Sequence, residues 1–356
     1  MRLGIIGLPQ SGKTTIFNAL TRGNQPTTMS GGRFEVHTAV VDVPDERVDH
    51  LSTLYRPEKT VYAKVTYADI AGLEGSASQA SLSGALLNQL NQMDGFLLVV
   101  RCFEEASVPH PAGSIDHRRD IASMEAELVI NDLIAIERKL ERLADERRKG
   151  GGRDKAVIER EVELFERLNE SLLKEVPLRD LEYSAEDEKI LSGYGLLTRK
   201  PMLILLNLSE GQDPLAESYP HRRTQVLALQ GKLEMELAQL LPEEAQDFMW
   251  EYGIEELGLS KVIRVSYDLL GLQSFITVGE NEVHAWTIRR GTTAYEAAGV
   301  VHTDLQKGFI RAEVIPWDEL LALGSLGEAR ARGRLRLEGK DYVLKDGEVM
   351  HVRFNV

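Results

Sequence analysis

Gly7-Leu8-Pro9-Gln10-Ser11-Gly12-Lys13-Thr14 is the stretch that decides the fold. Its Gly-x4-Gly-Lys-Thr spacing is that of a phosphate-binding loop. Glycines let the backbone curl so that N–H groups point at phosphate oxygens. Lys13 offers a charge to β and γ phosphates, and the Thr14 hydroxyl suits Mg²⁺. A helix N-terminus after the loop adds its dipole. The flanks agree, since Arg2 to Ile6 reads as a short buried strand and Lys13 to Thr21 as a helix. Pro9, Gln10, Ser11, Gly12, Lys13, Thr14 and Thr15 are the candidate phosphate-binding residues.

Outward from the loop, strand patterns cover Ala39 to Val43, Val61 to Ala68 (ending at Asp69), Phe96 to Arg101, and Met202 to Asn207. The last two are apolar on both faces, which predicts an α/β fold with a covered sheet. Between them lies an insertion, residues 121–198. Leu128, Leu133, Ile136, Leu140 and Leu143 recur at helical spacing, then Ile158, Val162, Phe165, Leu168 and Leu172 do so after Gly150-Gly151-Gly152. The pattern predicts an αα-hairpin. Its mixed charges fit either a solvated face or a partner-binding arm. From residue 273 the texture becomes short strands (Phe275 to Val278, Val283 to Ile288, Phe309 to Ile315, Val349 to Phe354) with a helix over Thr293 to Val300.

The 356 residues suggest two or three domains. No apolar run is long enough for a spanning helix, and the N-terminus does not read as a signal peptide, so no membrane association and a cytoplasmic location are expected. Cys102 is the single cysteine, so no internal disulfide is possible; a small buried thiol is the expected role. A net charge of −14 argues against indiscriminate nucleic-acid binding. Residues 273–356 carry 11 Lys+Arg against 12 Asp+Glu. RNA contact is thus easier to place there. Arg330-Ala331-Arg332-Gly333-Arg334-Leu335-Arg336 reads as a strand with its arginines on one face, fitting either RNA phosphates or a charge-guarded edge.

Asp69-Ile70-Ala71-Gly72 ends a strand about 55 residues after the loop. A carboxylate there suits a Mg²⁺ site, and the Gly72 N–H suits a γ-phosphate. Leu73 stands where Ras-like GTPases orient the attacking water with glutamine, which implies slow or assisted hydrolysis. Asn207-Leu208-Ser209-Glu210 stands where GTPases carry Asn-Lys-x-Asp. Leu208 and Glu210 spoil a guanine site, while an asparagine amide can serve adenine, so ATP is favoured over GTP, or the choice is relaxed.

These motifs, with Val100-Arg101-Cys102-Phe103-Glu104, His302 to Ile315, Gly339 to Tyr342 and His351 to Val356, make the chain resemble the YchF family of Obg-like P-loop NTPases, in the TRAFAC class, from end to end. The resemblance implies a G domain in two parts (1–120 and 199–272), an inserted coiled-coil arm (121–198) and a β-grasp TGS domain (273–356). It implies ATP hydrolysis with Mg²⁺ at Thr14 and Asp69, Lys13 and Gly72 as catalytic groups, and ribosome or RNA association in translation or stress response. Phe103, Asn207 and Leu208 would contact the base, with Gln230 and Gly231 in place of the family's Ser/Cys-Ala pair. A monomer is expected. The chain departs from the family at Gln10-Ser11 (usually Asn-Val), at Arg33 in switch I, and from Ser78 to Gly84 in switch II, as in a diverged member.

Overall fold

The computed structural model describes the chain except residues 24–35, 71–83, 106, 150–151, 214–218, 253, 255 and 356. Among the described residues the strands are β1 (Arg2–Ile6), β2 (Val36–Asp42), β3 (Lys59–Val61), β4 (Lys64–Ile70), β5 (Gly95–Arg101), β6 (Met202–Asn207), β7 (Thr224–Leu229), β8 (Leu272–Val278), β9 (Glu282–Arg289), β10 (Phe309–Pro316), β11 (Arg336–Glu338) and β12 (Glu348–Phe354). No described helix is long and apolar enough to cross a membrane. Residues 1–39 and 66–262 form one compact unit, and residues 40–65 with 263–356 form another.

The first unit is built on the sheet β2-β4-β1-β5-β6-β7. β1 pairs parallel with β4 and β5, and β5, β6 and β7 continue in parallel. Every residue of β5 and β6 is buried, as the two-sided apolar runs require. The chain runs from β1 to β4 on one side, then crosses to β5 on the other. The carboxyl end of β1 is therefore a topological switch point, where open α/β sheets bind ligands.

Helices His117–Lys149 and Lys155–Leu173 form the expected hairpin around Ile136, Leu143, Ile158, Phe165 and Leu168. Asp154 caps the second helix, accepting from Ala156 N. The base of the arm is tied down by polar groups. Buried Asp132 accepts from Leu197 N and Thr198 N, each at 2.8 Å, while buried Arg179 pairs with Glu125 and donates to Thr224 Oγ1.

The second unit holds the sheet β11-β10-β12-β8-β9-β3. β8 and β9 form an antiparallel hairpin, helix Ala294–Val301 follows, and β12 returns parallel to β8, a β-grasp arrangement. Its core joins Phe275, Ala294, Ala298, Phe309, Val314 and Met350. Residues 40–65 are part of this unit. Arg47 bridges Asp45 and Asp346, Leu326 N donates to Tyr55 Oη, and β3 pairs parallel with β9. The single strand expected over Val61 to Ala68 is thus two strands in two sheets, β3 and β4, with alternation running unbroken between them.

The arginine strip is not a strand. Ser325 caps a helix Leu326–Ala331, Gly333 turns the chain at φ +67°, and only Arg336 enters β11. Each arginine meets a carboxylate: Arg330 Glu313, Arg332 Glu328, Arg334 Glu319 and Arg336 Glu348. The row of arginines on one face does not form, because Ser325 and Glu328 offer a helix start that local alternation cannot outweigh.

Candidate nucleotide site

The loop after β1 curls through positive φ at Gly7 (+150°), Gln10 (+62°) and Gly12 (+93°). A Cβ at Gly7 would lie 2.3 Å from the Val99 carbonyl, and one at Gly12 would lie 2.3 Å from Asn207 Nδ2, so glycine is required at both. Gln10 adopts the left-handed region without that freedom, a local strain that clusters at ligand sites. Helix Lys13–Thr21 begins where the loop ends. Lys13 Nζ donates to the carbonyls of Gly7 (3.0 Å) and Leu8 (2.9 Å), so its charge sits over the loop's concavity.

Thr14 Oγ1 donates to Asp69 Oδ2 at 2.9 Å, bringing together two side chains 55 positions apart. Asp69 is buried at the end of β4, and burial holds its carboxyl above the ordinary range, opposed by the Thr14 bond and the Lys13 charge. Hydroxyl and carboxylate are hard oxygen donors, the kind Mg²⁺ takes. Pro9, Thr15 and Gln230 are half-buried, and Ser11 is buried. Gly72, Leu73 and Arg33 lie outside the described residues.

On the far side of the loop, Asn207 is buried, and both ends of its amide bind protein: Nδ2 donates to Ser11 O, and Gly231 N donates to Oδ1, each at 3.0 Å. A Cβ at Gly231 would lie 2.6 Å from Asn207 Oδ1, which explains the glycine. Asn207 therefore clamps the phosphate loop to the start of helix Gly231–Gln239, with one further valence at each end of the amide. The Leu208 side chain is buried in the core with Val100, Cys102 and Leu206, so any contribution it makes to a base is backbone or packing. The Phe103 ring edge approaches Gly12, with 3.9 Å from Cε1 to the position a Cβ would take.

Sequence reasoning passed over Arg101. It is buried, its guanidinium lies 4.6 Å from the Phe103 ring centroid, and it donates to Phe103 O (3.1 Å) and Val108 O (2.8 Å). It fixes the segment that presents Phe103. The available signal was a charge ending an otherwise apolar strand. Cys102 is buried as expected, and burial pushes its thiol up to about 12.

Residues 2–139 match the MMR_HSR1 family, "50S ribosome-binding GTPase", and residues 272–355 match YchF-GTPase_C, "Protein of unknown function (DUF933)". The chain is 37% identical over 365 residues to the "Ribosome-binding ATPase YchF" of Bacillus subtilis, covering 99% of each. The protein of that name from Haemophilus ducreyi is 38% identical over 364 residues, covering 100% of this chain and 99% of its own. A solved Schizosaccharomyces pombe structure, titled as a YchF GTPase, superposes with a TM-score of 0.85 at 30% identity, covering 99% of this chain and 97% of that one.

Proposed function

The chain belongs to the YchF family, and we propose that it is a slow, Mg²⁺-dependent ATPase that prefers ATP to GTP and acts with the ribosome, in the cytoplasm, in translation or stress response. One observation carries the reading: Lys13 and Thr14 at a helix N-terminus, with Thr14 Oγ1 donating to Asp69 at 2.9 Å. We assign Lys13 to the β and γ phosphates, Thr14 and Asp69 to Mg²⁺, and the Gly72 N–H to the γ-phosphate. The ion, when bound, neutralises charge on the phosphates. The chain's own part is to hold the nucleotide in register through the backbone of residues 9–15.

Phe103, Leu208, Gln230 and Gly231 are proposed to flank the base, with Asn207 shaping the site as much as reading it. Leu208 and Glu210 in place of lysine and aspartate support ATP, as do the names of the bacterial relatives. We keep the functional partition 1–120 and 199–272 for nucleotide, 121–198 for the arm and 273–356 for the TGS domain, and a monomeric state.

Leu73 supports a second reading, a nucleotide-dependent binding module with negligible turnover, because leucine cannot orient water. Dissociation constants for ATP and GTP with and without Mg²⁺, and single-turnover hydrolysis with and without ribosomes, separate the readings. The ATPase reading expects tighter ATP than GTP, and turnover above that of Lys13→Ala. Equal turnover in wild type and Lys13→Ala would favour the binding module. Tighter GTP would overturn the base preference.

A further inference from the structure

Helix Pro242–Glu251 of the first unit is turned inside out in one respect. At 100° per residue, Ala245, Phe248 and Met249 fall on one side, and these are its half-buried residues. Glu243, Asp247, Trp250 and Glu251 fall on the opposite, exposed side. The largest apolar side chain of the helix thus stands on its exposed polar face, between Gln246 and Glu243 and beside the carboxylates. Trp250 is 87% exposed, and Leu241 and Tyr252, just beyond the helix ends, are 65% and 64% exposed. Tyr252 is held by stacking on Phe248, with ring centroids 4.3 Å apart.

Charge says what such a face accepts. Between Lys232 and Lys261 the chain has eight carboxylates and no lysine, arginine or histidine. Phosphate backbones are repelled there. A lysine or arginine side chain meets an indole face for cation–π contact, with carboxylates beside it for its charge. Exposed Leu241 and Tyr252 give the alkyl stem of such a residue, or an apolar neighbour, a surface to cover. An indole left in water on the polar face does not help fold the helix; it is the residue type that dominates binding at protein interfaces.

We propose that the Glu243–Asp247–Trp250–Glu251 face is a docking surface for a lysine- or arginine-bearing segment of a protein partner. The inference rests on the ribosome association proposed above and assigns to this face the contact with a basic protein surface of the particle, as distinct from its RNA.

The test is sedimentation of the full-length protein with 70S ribosomes and, separately, with protein-free ribosomal RNA, in the presence of ATP. Wild type is compared with Trp250→Ala and with Asp247→Lys/Glu251→Lys. ATP hydrolysis and thermal midpoint serve as controls for folding. In a Trp286→Phe/Trp317→Phe background, Trp250 is the only tryptophan, and its emission reports contact directly. The proposal expects both variants to lose at least five-fold in ribosome affinity with unchanged hydrolysis, and Trp250 emission to shift to the blue on adding ribosomes. Wild type and both variants binding ribosomes within two-fold of one another would overturn this surface and leave the association intact. An equal loss on protein-free RNA would also overturn it, by making RNA the occupant. Failure of wild type itself to sediment with ribosomes would overturn the association together with this contact.

Discussion

Asn207 Nδ2 and the Ser11 carbonyl lie 3.0 Å apart, so the end of β6 holds the phosphate loop from behind. The same amide receives Gly231 N at 3.0 Å, and one side chain thus fixes two walls of the candidate site. Asn207→Ala leaves a buried N–H and a buried carbonyl without partners, at about 1–3 kcal/mol each. We expect a fall in thermal midpoint of several degrees and at least a ten-fold weaker ATP dissociation constant by calorimetry. Unchanged stability and affinity would show that the clamp is idle.

Asp69, proposed above as a Mg²⁺ ligand, is a carboxyl whose charged form is disfavoured by burial. Its folded pKa is raised by burial, so the native state holds its proton more tightly than the unfolded chain. Its contribution to stability therefore declines as pH rises through the ordinary carboxylate range. Asp69→Asn, isosteric and neutral, is expected to leave thermal stability without nucleotide equal or higher. Mg²⁺-dependent stabilisation by ATP should shrink at least ten-fold in apparent affinity. Scanning calorimetry with and without Mg²⁺ and ATP gives both numbers, and loss of stability in the ligand-free protein would contradict the account.

Gln10 sits at φ +62° in the phosphate loop. A long side chain in the left-handed region costs about 1 kcal/mol, and asparagine tolerates it better. Gln10→Asn should raise stability by about 0.5–1 kcal/mol in chemical denaturation. A lower midpoint would mean that the glutamine side chain makes compensating contacts.

Glu313 is buried among Arg330, Arg353 and His351, and the arginines pull its carboxyl down to about 2. A depressed folded pKa contributes stability above the unfolded carboxylate pKa, about 4.3, and loses it as pH falls toward 2. Denaturant midpoints measured from pH 5 to pH 2 should therefore fall steeply in wild type. Glu313→Gln should be less stable at pH 7 and show a flatter fall. Parallel pH curves for the two proteins would remove Glu313 from the acid response.

Cys102, with its thiol pushed up to about 12 and its side chain buried, should not react with a disulfide reagent at pH 8 until the protein unfolds. Rapid labelling of the native protein would show that β5 opens at its end.

The phosphate loop was legible because its chemistry is local: the positive φ of Gly7 and Gly12 and the side chains of Lys13 and Thr14 all fall within eight consecutive residues. The covered sheet was legible because β5 and β6 carry their burial in their composition. The clamping role of Asn207 was hidden for the opposite reason. Its partners, Ser11 and Gly231, stand 196 and 24 positions away, and no local pattern says whether an amide faces a base or two backbones. Arg330 to Arg336 misled because alternation is a strand signal only when no cap intervenes. Residues 59–70 misled because strand period is the same whichever sheet a strand joins.

The membership of residues 40–65 in the C-terminal unit has a consequence for synthesis. Helix Glu46–Tyr55 and β3 leave the tunnel early, yet β8 and β9 are made only after roughly two hundred further residues, about 10–40 s at ~5–20 residues per second, and β12 follows later still. During that interval Val48 and Leu51, fully buried in the finished protein, have only the short segment of residues 40–65 from their own unit beside them. A nascent chain stalled before residue 263 should therefore expose a protease-sensitive segment between β2 and β4 that release of the full chain closes.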